Sequence, residues 1–105
     1  MQTREVSVLE YLVRCYFHED YDLEAESPID VVKKFADEEP SGFSRELLSE
    51  LESLKHEGLT EEGARRLWLE QCGAMYEPDR KGGISYLEWF EQMRNVVKQR
   101  LDRES

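Results

Sequence analysis

Glu77-Pro78-Asp79-Arg80-Lys81-Gly82-Gly83-Ile84-Ser85-Tyr86-Leu87-Glu88 admits two readings, and the choice between them decides the fold. Laid on an EF-hand loop, Asp79 takes the third position, Gly82 the sixth, Ile84 the eighth and Glu88 the twelfth. Calcium needs oxygen at the fifth position, however, where Lys81 brings a cation, and the first ligand is Glu77 in place of Asp. Gly73 also interrupts the helix that should enter such a loop. The second reading accounts for all of these residues as a glycine turn followed by a helix start. Ser85 and Glu88 have the spacing of a capping box, with Ile84 and Trp89 placed for a hydrophobic staple. Leu87, Phe90, Met93, Val97 and Leu101 then continue at helical spacing. A capped helix is the expected outcome.

Outward from there, the rest of the chain also reads as helix. The first helix is expected from about Arg4 to Phe17, with Val6, Leu9, Leu12, Val13, Tyr16 and Phe17 on its apolar side. Ser27-Pro28-Ile29-Asp30 opens the second, with Ser27 as N-cap, Pro28 at the first helical position and Asp30 complementing the dipole. Val31, Val32 and Phe35 give it an apolar side, and Pro40 with Gly42 is expected to end it. The third covers Phe43 to Glu57, stacking Phe43, Leu47, Leu48, Leu51 and Leu54, with Gly58 past its end. Thr60 caps the fourth, Leu59 is placed to staple on Ala64, Leu67, Trp68 and Cys72 face inward, and Gly73 stops it. No strand is expected. The fold class is all-α, a single compact domain over residues 1–105 built from about five short helices.

Composition narrows the function. With 14 Lys and Arg against 24 Asp and Glu, the net charge of -10 opposes binding of nucleic acid or an anionic membrane through a basic face. A basic partner is the natural complement. Charged residues make up 36%, yet the apolar ones are periodic, which fits a folded domain with a charged skin. Cys15 and Cys72 have no metal-ligand spacing and read as buried free thiols, consistent with the cytosol. Neither a secretory leader nor a membrane span is expected.

Catalytic machinery is not legible. His18 and His56 are the only histidines, and neither lies in a motif that activates a nucleophile. The chain carries no glycine-rich phosphate loop and no Cys/His metal cluster, so an enzyme, a cofactor and a metal are all unexpected. The exit of the first helix stands out instead. Tyr16-Phe17-His18-Glu19-Asp20-Tyr21-Asp22, followed by Glu24 and Glu26, loads acids where a helix dipole disfavours them. Tyr16, Phe17 and Tyr21 add amphipathic aromatic surface of the kind interface hot spots use. Asp37-Glu38-Glu39 forms a second acidic block, while Arg94, Lys98, Arg100 and Arg103 place basic charge on the last helix.

These residues are similar to those of the immunity proteins of bacterial contact-dependent growth-inhibition systems. The likeness rests on Tyr16 to Leu23, on Ser27-Pro28 opening a helix that ends in Glu38-Glu39-Pro40, and on Leu47 to Leu51. Gly58 to Glu62, Cys72-Gly73, Tyr76-Glu77-Pro78 and Tyr86 to Trp89 continue it in order. Glu19 stands where an amide is usual and Tyr21 where Trp is usual. The resemblance implies a cytoplasmic antidote that covers the active site of a cognate toxin C-terminal domain, expected to be a basic nuclease, in a 1:1 heterodimer. It also divides the motif, because a signature shared among inhibitors of different toxins more naturally builds the fold. Phe17, His18 and Asp20 are therefore assigned a structural role. Glu19, Tyr21, Asp22, Glu24, Glu26, Asp37, Glu38 and Glu39 are assigned to toxin contact. Two competing readings stay open: another acidic interaction module, mimicking nucleic acid or regulating a basic protein, and a degenerate EF-hand protein.

Overall fold

A computed structural model of the chain describes residues 6–17 and 27–104. Every regular element among them is helical. The elements are α1 (Ser7–Tyr16), α2 (Pro28–Glu38), α3 (Ser41–His56), α4 (Glu61–Arg66) and α5 (Tyr86–Glu104). Two π turns complete the set, Leu67–Gln71 continuing α4, and Pro78–Gly82 in the link before α5. The sequence predicts a glycine turn in that link.

The ends of the helices show which local signals act as written. Thr60 Oγ1 accepts from the Gly63 amide at 3.0 Å, and Ser85 Oγ accepts from the Glu88 amide at 3.0 Å, so both predicted caps form. The end of α3 closes as predicted around Gly58, whose φ of 77° lies in the left-handed region. The Gly58 amide donates to Lys55 O and the Leu59 amide to Leu54 O, the paired bonds of a Schellman stop. Ser27 sits at the N-cap of α2, but its hydroxyl donates to Asp30 Oδ2 at 2.9 Å and leaves the backbone amides alone. The boundary between the second and third helices also shifts. α2 ends at Glu38, and Pro40 becomes the N-cap of α3, which takes in Gly42 as its second residue. A proline that cannot continue one helix is well suited to start the next.

Two helix starts are closed from elsewhere in the fold. Glu50, on α3, accepts from the amides of Val8 and Leu9 at 3.0 Å each and so caps α1. Glu61, in the first turn of α4, accepts from the amides of Tyr86 and Leu87 at 2.8 and 3.1 Å and caps α5. Carboxylates suit both places, since the free amides and the dipole of a helix start favour negative charge. Together they fix α1 to α3 and α5 to α4.

The interior is aromatic at its centre. Phe17, Trp68, Tyr76 and Trp89 are buried, and their rings meet at centroid distances of 5.0 to 6.2 Å, mostly edge to face. Trp68 Nε1 donates to Tyr76 O at 2.7 Å, which ties the end of α4 to the following link. Leu9, Leu12, Val32, Phe35, Leu47, Met93 and Val97 extend this core between the helices. Cys72 is buried as expected, and burial pushes its thiol up to about 12, but Cys15 lies exposed on α1.

Candidate functional site

The residues singled out in the sequence fall into three groups. His18, Glu19, Asp20, Tyr21, Asp22, Glu24 and Glu26 lie outside the described residues. Phe17 is fully buried against Trp68, Tyr76 and Trp89, so it is part of the core. Asp37, Glu38 and Glu39 end α2, and each has a different surrounding.

Asp37 Oδ1 lies 3.1 Å from Arg100 Nε, an ion pair that bridges α2 to α5. Glu38 reaches Lys34 at 4.0 Å and Tyr16 Oη at 3.4 Å. Glu39 accepts from two phenols at once, Tyr16 Oη at 2.8 Å and Tyr11 Oη at 3.0 Å. Burial and the Glu39 hydrogen bond raise the Tyr16 pKa well above its ordinary value, and Glu39 raises that of Tyr11 in the same direction. These bonds hold the acidic end of α2 against the exposed side of α1.

Tyr11 was not among the predicted site residues, yet it organises this face. It is 37% exposed, one of few large apolar residues so placed. Its ring meets Phe43 edge-on at 5.2 Å and Phe35 at 6.4 Å. Beside it a hollow of about 260 Å³ is lined by Ser7, Val8, Tyr11, Phe43 and Glu46. The sequence signal was available: Tyr11 falls off the apolar stripe of α1, and a tyrosine in an exposed position favours contact with a partner.

Charge around this face is one-sided. No basic side chain among the described residues pairs with Glu39, Glu46 or Glu50. The crowding shows in Glu50, whose pKa is raised first by burial and further by Glu46 and Glu10, against the two amide bonds that lower it. By contrast the last helix is less basic at its surface than its sequence suggests. Arg94 is held by Glu91 and Glu52, and Arg100 by Asp37. A second hollow, about 220 Å³ between α3 and α5, has a rim of mixed sign carrying Lys55, Glu91 and Arg94 over Leu54, Leu87 and Phe90.

The stretch that resembled an EF-hand is occupied by structural contacts. Asp79 Oδ1 accepts from Tyr86 Oη at 2.9 Å, Glu77 lies 4.0 Å from Arg80, and Gly83 ends a π turn with φ of 66°. Among the described residues, no three His, Cys, Asp or Glu side chains cluster so as to hold a metal ion. None of the described helices is long and apolar enough to cross a membrane.

In a comparison with solved structures, a chain of the crystal structure of the CdiA-CT/CdiI complex from Y. kristensenii superposes with a TM-score of 0.80. The match covers 90% of this chain and 99% of that one, at 18% sequence identity, and shows a common fold. No curated protein matches in sequence. Residues 5–97 match the profile of the family described as CdiI immunity protein, and the chain therefore belongs to the CdiI immunity proteins.

Proposed function

We propose that this protein neutralises a cognate CdiA-type toxin domain by binding it and covering its active site. The observation that carries the reading is the family match across residues 5–97. The complex of CdiA-CT with CdiI in the structural neighbour supports a 1:1 heterodimer as the working state. A net charge of -10 suits a toxin that handles phosphates with Lys and Arg, so a nuclease is the proposed target. The antidote acts in the cytoplasm as a single domain over residues 1–105. It works by occupying a surface, with no bond made or broken.

Glu19, Tyr21, Asp22, Glu24 and Glu26, with Asp37, Glu38 and Glu39, are proposed to contribute the acidic surface, and His18 and Asp20 to shape the loop that carries it. Co-purification with the toxin domain encoded next to it tests the function: one complex of equal stoichiometry is expected, and separate elution overturns the reading. Charge reversal of Asp22 together with Glu24 tests the loop. Binding is expected to weaken with the thermal midpoint nearly unchanged, whereas an unaltered dissociation constant removes the loop from the interface.

A further inference from the structure

We propose that the hollow between α1 and α3, lined by Ser7, Val8, Tyr11, Phe43 and Glu46, is a docking point for a lysine or arginine side chain of the toxin domain. The inference rests on the neutralisation reading above and names a surface for it that lies outside the acidic loop. Three observations converge on a cationic occupant. The first is shape: the hollow of about 260 Å³ lies beside an aromatic ring that is 37% exposed. The alkyl stem of a long basic side chain packs well on such rings, and its charged head is attracted to their faces.

The second is charge. Glu46, on α3, lines the hollow, Glu39 at the end of α2 holds the Tyr11 hydroxyl, and no basic group among the described residues pairs with either. An incoming guanidinium or ammonium would meet an open carboxylate there and form a charge-assisted hydrogen bond. The third is rigidity. Tyr11 is fixed by its bond to Glu39 and by the rings of Phe43 and Phe35, so little side-chain freedom remains to be lost on binding. The mixed-charge hollow between α3 and α5 lacks this bias, because Lys55 and Arg94 already face Glu91.

The test compares variants in binding to the cognate toxin domain, after the wild-type complex has been measured. Absence of a wild-type complex refutes neutralisation itself; a wild-type complex indifferent to the variants refutes only the docking point. Tyr11→Ala and Glu46→Lys are each expected to weaken binding about tenfold or more, as truncation or repulsion at an interface hot spot does. Tyr11→Phe, which keeps the ring but loses the bond to Glu39, is expected to weaken binding less than Tyr11→Ala does. Glu88→Lys makes the same charge change at the exposed start of α5 and controls for long-range attraction. Thermal midpoints confirm that each variant is folded. Wild-type affinity in Tyr11→Ala and Glu46→Lys overturns the proposal, as does equal weakening by Glu88→Lys.

Discussion

Glu50 carries two opposed demands. Its carboxylate closes the free amides of Val8 and Leu9 in the first turn of α1, which favours the charged form, while burial and the neighbouring Glu46 and Glu10 favour the neutral one. Burial prevails, and the folded pKa lies above the ordinary value of 4.5. A carboxyl with a raised folded pKa stabilises the fold most fully below its unfolded pKa, and that contribution is lost as pH rises through the folded value. The wild type is therefore expected to lose stability relative to Glu50→Gln as pH increases from acid to neutral. Denaturant unfolding of both proteins at several pH values measures it, and a flat or opposite difference contradicts the assignment. Glu50→Ala, which leaves both amides open, is expected to cost about 1–2 kcal/mol in acid, and less as pH rises through the folded pKa of Glu50. Sequence alone offered no route to this role, because Glu50 reads as one more exposed acid in a charged helix and its partners lie some forty residues away.

At the level of the element, the legible features were those set by neighbours in sequence. Thr60, Ser85 and Gly58 act locally, and each behaves as its spacing predicts. The start of α5 shows where that stops. Ser85 supplies its half of the capping box, but the carboxylate that closes Tyr86 and Leu87 belongs to Glu61, while Glu88 is exposed. Within residues 77–88 the same holds of Asp79, which accepts from Tyr86, and of the helix start, which is tied back to α4. Glu61→Ala is expected to lower stability by about 0.5–1 kcal/mol, the value of an exposed cap. It should speed hydrogen exchange at the amides of Tyr86 and Leu87 more than in the middle of α5. Unchanged protection there would show that Glu61 does not hold the helix start. The π turns at Leu67–Gln71 and Pro78–Gly82 had no sequence signal at all.

For the whole molecule, periodicity sufficed to recognise an all-α domain, and the radius of gyration of 12.8 Å agrees with the ~13 Å typical of a compact domain near this length. The surface was harder to read. Charge counted along the chain suggested acids on one side and bases on the last helix, but folding pairs Arg94 and Arg100 with carboxylates, while Glu39 and Glu46 beside Tyr11 have no basic partner among the described residues. Which acids remain available is a tertiary property. An interface formed this way should associate faster at low salt, because long-range attraction steers the encounter and is screened within about 10 Å at 0.1 M ionic strength. The most direct measurement is the activity of the cognate toxin domain titrated with this protein. Neutralisation by binding predicts that activity falls to background at one equivalent and that more salt slows the onset. A toxin domain that stays fully active with the protein in excess would contradict the account.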